Sequence, residues 1–153
     1  MKRYLLFSAM VACIFLLPAA LRADGLTPVG HYVGPDATNF LDIATYVEGD
    51  ETVAVMGISR KVTVAFGKQE WQSFVDLWHS AKATHADSFQ YVGNFKESGT
   101  TYTSLLMVAA GPGVMFVIND AKGTYVFVLN ATDYAAFDAD VDKIAHTLSA
   151  SVK

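Results

Sequence analysis

Apolar and polar residues alternate along Phe40–Glu48, with Leu41, Ile43, Thr45 and Val47 on one side and Asp42, Ala44, Tyr46 and Glu48 on the other. A period of two predicts a strand with one face buried. Gly49-Asp50-Glu51 is turn chemistry, Thr52–Ile58 reads as a second strand, Ser59-Arg60 as a tight turn and Lys61–Phe66 as a third strand. In that third strand Val62, Val64 and Phe66 face inward and Lys61, Thr63 and Ala65 outward. The period then lengthens to 3.6. Trp71, Phe74, Val75, Trp78 and Ala81 make one stripe between Lys68 and Lys82, which predicts an amphipathic helix. Gly67 before it, with Glu70 three residues on, predicts a capped N-terminus.

The same pattern returns 63 residues later. Val53, Val55, Val62, Val64, Phe66, Trp71 and Phe74 fall on Phe116, Ile118, Tyr125, Phe127, Leu129, Tyr134 and Phe137. Strands are expected at Ser88–Phe95, Thr101–Ala110, Val114–Asn119 and Gly123–Leu129, then a helix at Ala131–Leu148 capped by Asn130 and striped by Tyr134, Phe137, Val141, Ile144 and Leu148. His31-Tyr32-Val33-Gly34 resembles Gln90-Tyr91-Val92-Gly93 and adds a strand to the first half. Self-similarity at this spacing predicts one supersecondary unit used twice, and the short turns require antiparallel pairing. The expected fold is α+β: two tandem ββββα units, about 28–82 and 88–149, with one helix after each sheet and a pseudo-twofold axis, in a single domain over 24–153. This strand order resembles that of whirly and Pur-type single-stranded nucleic-acid-binding folds. The resemblance covers topology and no motif residue, so it implies a fold and neither a site nor a function.

The outward positions differ between the halves. Asp42, Ala44, Tyr46, Thr52, Ala54, Thr63 and Ala65 in the first correspond to Leu105, Met107, Ala109, Met115, Val117, Val126 and Val128 in the second. A second sheet apolar on both faces needs a cover. The cover is another part of the same chain, a second copy docked through Leu105, Met107, Met115, Val117, Val126 and Val128, or a small apolar ligand.

Lys2 and Arg3 precede the apolar run Tyr4–Leu17, and Pro18 and small residues follow, the pattern of a secretory leader cleaved after Ala23. An uncleaved anchor is the alternative, since Tyr4–Leu21 approaches the roughly 18 residues a spanning helix needs. Without residues 1–23 the chain keeps eight basic and fifteen acidic residues, a formal charge of −7, and loses Cys13, its one cysteine. The expected location is periplasmic or secreted. That charge argues against nucleic-acid binding, and stability must come from a hydrophobic core without disulfides.

Catalytic chemistry is sparse. His79, His85 and Asp87 straddle a helix end without metal-ligand spacing. Asp138, Asp140 and Asp142 open like a calcium loop, but Lys143 and Ser149 stand where glycine and glutamate are needed, so they read as acids on a solvated helix face. His31 has no acid or nucleophile beside it in sequence, and His146 belongs to the exposed side of the last helix. Ser59 and Ser73 lack a base partner, Gly111-Pro112-Gly113 is a hairpin turn, and Asn130-Ala131-Thr132 is a glycosylation sequon at a capping residue. Trp71, Phe74 and Trp78 belong to the core stripe. No catalytic, cofactor-binding or metal-binding residue is therefore assigned, and no cofactor is implied. The expected function is that of an exported binding or interaction domain. The alternative is a small hydrolase-like enzyme with histidine and carboxylates, Asp42, Glu48 or Glu51 among them, at the junction of the two halves.

Overall fold

The computed structural model describes residues 25–35, 37–83, 89–98, 101–110 and 113–150. Eight strands run β1 Leu26–Val33, β2 Phe40–Glu48, β3 Glu51–Ile58, β4 Val62–Phe66, β5 Phe89–Ser98, β6 Thr101–Ala110, β7 Gly113–Asp120 and β8 Gly123–Asn130. Helix α1, Lys68–Ala83, follows β4; a 3-10 turn at Ala131–Asp133 leads from β8 into α2, Tyr134–Ala150. The sheets are antiparallel, in the orders β1-β2-β3-β4 and β5-β6-β7-β8. The protein is α+β.

Local chemistry sets the boundaries. The Gly67 N–H donates to Glu70 Oε2 at 2.8 Å, and the Trp71 N–H to the Gly67 carbonyl at 2.9 Å, so α1 begins with the expected cap. Asn130 behaves otherwise: its side chain makes no cap hydrogen bond, and the tighter 3-10 turn starts the second helix instead. Between β3 and β4, Ser59 and Arg60 adopt φ of 51° and 59°. With both left-handed and the Lys61 N–H donating to the Ile58 carbonyl at 2.9 Å, they form a primed-type turn within a three-residue loop, since Ile58 pairs with Val62.

The helices cross over. α1 lies against β5, β6 and β7 as well as β3 and β4, while α2 lies against β1, β2 and β3. Trp78 of α1 stacks on Phe116 of β7 with ring centroids 6.1 Å apart, and Phe137 of α2 meets Tyr32 of β1 edge-on at 5.2 Å. One cluster of buried side chains accordingly draws on both sheets and both helices, with Leu41, Met56 and Phe66 from one sheet and Leu105, Phe116 and Leu129 from the other. Chain order puts a helix after each sheet; packing puts each helix over the sheet of the other half.

Strand register corrects the constant offset. Ile58, Met56 and Ala54 pair with Val62, Val64 and Phe66, whereas Ile118, Phe116 and Val114 pair with Tyr125, Phe127 and Leu129. Leu41 and Ile43 pair with Ile58 and Met56, and Leu105 and Met107 with Ile118 and Phe116. The β4 and β8 positions are thus 63 apart, the β3 and β7 positions 60 and the β2 and β6 positions 64. Turns of unequal length absorb the difference, and an error of one residue moves a side chain to the opposite face. Val53 and Val55 consequently lie in a separate cluster outside the main core, unlike Phe116 and Ile118. Thr52 and Ala54 share the inner register of Val47 and Phe66, not the outer one.

Candidate functional site

The same error misplaces two residues of the expected docking surface. Leu105 and Met107 are fully buried in the main core, because their cross-strand partners Ile118 and Phe116 point inward. Leu106 and Val108 take the outer positions instead, opposite Val117 and Met115. Val117 and Met115 in turn face Val126 and Val128 on β8. The outer face of the second sheet therefore has an apolar centre of Leu106, Val108, Met115, Val117, Val126 and Val128, with Ser104, Asn119 and Thr124 in the same register toward one end. Val108 is buried, Leu106, Met115, Val117 and Val128 are half-buried, and Val126 is 37% exposed. Helix α1 belongs to the opposite face, where its stripe joins Phe116 and Ile118. The strand cores are β-branched and aromatic, which makes them a stiff platform.

The histidine expected to stand alone has a partner. His31 on β1 and Asp42 on β2 are cross-strand neighbours, and Nδ1 lies 2.6 Å from Asp42 Oδ1. His31 is 55% exposed at its side chain and Asp42 15%. The Phe40 ring stands 5.4 Å from the imidazole, with the Arg60 guanidinium 5.3 Å from the centre of that ring on its own side of the strand pair. Asp42 pairs with Gly57, and Gly57 with Thr63, whose buried hydroxyl has no hydrogen-bond partner among the described residues. Ser59 is occupied: its hydroxyl donates to Asn39 Oδ1 and accepts from the Phe40 N–H. Ser73 donates to the Gln69 carbonyl within α1.

Two of the three helix aspartates bind neighbouring elements. Asp138 accepts from Trp78 Nε1 at 2.6 Å and pairs with Lys82 Nζ at 2.5 Å, joining α2 to α1. Partial burial raises its carboxyl, but the Lys82 and Trp78 hydrogen bonds and the Lys82 and His79 charges outweigh that, and the group sits below its ordinary value. Asp140 accepts from the Tyr32 hydroxyl at 2.6 Å, joining α2 to β1. Burial first, then that bond and the Asp140 and Asp133 charges, push the Tyr32 phenol well above its usual range. Gly30 makes room for the contact, since a Cβ there would stand 2.5 Å from Asp140 Oδ2 and 2.8 Å from the Tyr32 ring. Asp142 is exposed, as is His146. A buried indole needs an acceptor for its N–H, and that rule, applied to Trp78, is the signal by which sequence could have flagged an acid on the opposing helix.

His79 is exposed on α1, while His85 and Asp87 lie outside the described residues. Among the described residues no three histidine, cysteine, aspartate or glutamate side chains gather where they could hold a metal ion. No described helix is long and apolar enough to cross a membrane. Comparison with family models, curated proteins and solved structures gave no match. The topological resemblance noted from strand order rests on that order alone.

Proposed function

We propose that the protein is an exported interaction module, periplasmic or secreted, that uses the outer face of the second sheet to dock on a second copy of itself. The observation that carries this reading is the contiguous apolar patch of Leu106, Met115, Val117, Val126 and Val128 at the centre of that face, with Val126 37% exposed and the other four half-buried. Sheet faces of this kind pack on one another at roughly 10 Å, and a twofold lets one patch serve both partners. The leader pattern at Lys2–Ala23 and the formal charge of −7 that remains after it support export and argue against a nucleic-acid partner. Sedimentation equilibrium of residues 24–153 tests the reading. A dimer at micromolar concentration, dissociated at least tenfold more readily by Val126→Asp, is expected. A monomer that binds an apolar small molecule at this face would replace the second copy by a ligand.

The finer architecture belongs to the same reading: two ββββα units related by a pseudo-twofold axis, within one domain. Its support is the matched triplets Leu41, Ile58, Val62 and Leu105, Ile118, Tyr125, together with the reciprocal crossing of the helices.

The His31–Asp42 pair supports a second reading, a small hydrolase-like enzyme. A carboxylate on one ring nitrogen orients an imidazole for proton transfer at the other. Asp42 was a candidate carboxylate; the pair sits on the first sheet, on the β1–β2 ladder. Ester hydrolysis by the processed chain, lost in His31→Ala with the fold intact, would favour it. Equal rates in the two proteins would dismiss it.

A further inference from the structure

Glycine is unexpected at position 57. It lies in the interior of β3 where the ladder is regular on both sides, pairing with Asp42 of β2 and Thr63 of β4. Its backbone is not left-handed, unlike that of Gly25 and Gly49. Neither a bulge nor a turn therefore calls for glycine here. Close approach of another molecule is the remaining use a strand makes of a residue without a side chain. On the outer face of the first sheet Gly57 leaves a notch, with Asp42 on one side and Thr63 on the other. Strands spaced about 4.8 Å apart put those two Cα atoms about 10 Å from one another, too far for two short side chains to bond directly.

The polar groups around the notch have capacity to spare. The Thr63 hydroxyl is buried with no hydrogen-bond partner among the described residues. Asp42 holds His31 through Oδ1, and its Oδ2 makes no hydrogen bond among the described residues. Phe40 lies two residues before Asp42, and its carbonyl accepts from the Ser59 N–H, two residues after Gly57. Its ring therefore stands one step along the same face, with the Arg60 guanidinium 5.3 Å from its centre. Arg60 takes no acid: among the described residues the ion pairs are His31–Asp42 and Lys82–Asp138. It also sits at φ 59°, in a left-handed turn where glycine or asparagine is the usual choice. A guanidinium held on an aromatic ring with its donors unused can take a carboxylate through two hydrogen bonds.

Arg60 and Asp42 flank one ring without pairing. A simple anion between them would leave Asp42 and Thr63 unused, and a simple cation would leave Arg60 unused. A ligand negative at one end and positive at the other satisfies all three. We propose that the notch binds a free α-amino acid as its zwitterion, with the carboxylate on Arg60, the ammonium donating to Asp42 Oδ2 and the Thr63 oxygen, the Cα over Gly57 and the side chain along Phe40. Such a ligand is neutral overall, so the formal charge of −7 left after residues 1–23 does not repel it.

Calorimetric titration of the protein with leucine tests the site, and saturable one-to-one binding is expected. N-acetyl-leucine lacks the ammonium and leucinamide the carboxylate, so each should bind at least about tenfold more weakly, as should leucine to Arg60→Gln or Asp42→Asn. Gly57→Ala fills the notch and should abolish binding with the circular dichroism spectrum unchanged. Arg60→Gln, on an exposed turn, gives the same reading should Gly57→Ala fail to fold. No saturation by leucine, glycine or phenylalanine up to about 10 mM would overturn the proposal. N-acetyl-leucine binding as tightly as leucine would also overturn it, leaving an anion site on Arg60 alone. Dimerisation through the second sheet can fail without altering these results, because no residue of that face borders the notch.

Discussion

The two sheets share one core but present different outer faces. On the first, the positions are small or polar, Asp42, Ala44, Gly57, Thr63 and Ala65, around a few larger groups. Those larger groups, Tyr46, Val53 and Val55, are closed off from water. On the second, the central positions Leu106, Val108, Met115, Val117, Val126 and Val128 are all apolar and branched or long, yet Val126 is 37% exposed and Val117 and Leu106 beside it only half-buried. Side-chain size alone would have assigned the burial the other way round. What decides it is what is laid over each face and not the size of the side chains in it; on the proposed function, another molecule covers the second.

Placing a charge on each face should separate them most sharply. Val55→Asp in the full chain buries an unpaired carboxylate and should cost about 4 kcal/mol or more, read as a fall in the urea midpoint; a loss below about 1 kcal/mol would show that the face is wet. The shared interior comes next. Trp78→Ala removes the ring that stacks on Phe116 and meets Phe137 at 4.7 Å, and a loss of about 3–5 kcal/mol is expected in thermal or urea unfolding. Unchanged melting would place the indole outside the core.

A smaller effect tests the clasp between the helices. The Asp138 carboxyl is held below its ordinary value by Lys82 and Trp78, against the opposing pull of burial. A group with a depressed folded value binds fewer protons when folded, so it adds stability above its unfolded pKa and loses it as the pH falls through the folded one. Asp138→Asn should therefore cost about 1 kcal/mol near pH 7, and the difference from the parent should begin to shrink once the pH falls below the roughly 3.9 of an unfolded aspartate and disappear only below the lower folded value. A gap that stays constant with pH would mean that the amide loses packing rather than charge. The smallest stability effect belongs to the open face: Val126→Asp should change unfolding free energy by less than about 1 kcal/mol while weakening self-association. A large loss of monomer stability there would show that Val126 is buried within one chain.

Period and punctuation made most of the elements legible. β2 and β6 match their expected bounds, and the stripe Trp71, Phe74, Val75, Trp78, Ala81 is the buried face of α1. Alternation defines a strand but not its absolute facing. In β6 both Leu105 and Leu106 are leucine, and only pairing with β7 decides between them. The crossing of the helices was hidden for a related reason, because an amphipathic stripe shows that a face is buried and not against what. The three polar links, His31 to Asp42, Tyr32 to Asp140 and Trp78 with Lys82 to Asp138, join residues 11, 108 and about 60 positions apart. No local spacing records such contacts. Asp138 and Asp140 read as solvated because helical periodicity places them off the apolar stripe, and that flank is where the other elements arrive.

Methionine oxidation tests the proposed docking face most directly. The processed chain has Met56 and Met107 buried in the main core and Met115 on the outer face of the second sheet. With dilute peroxide and peptide mass spectrometry, Met56 and Met107 should stay protected at every protein concentration. Met115 should oxidise readily in dilute solution and become at least several-fold slower as concentration rises and copies associate. Oxidation of Met115 at one rate across that range, with the protein a monomer throughout, would contradict a second copy as the partner of this face.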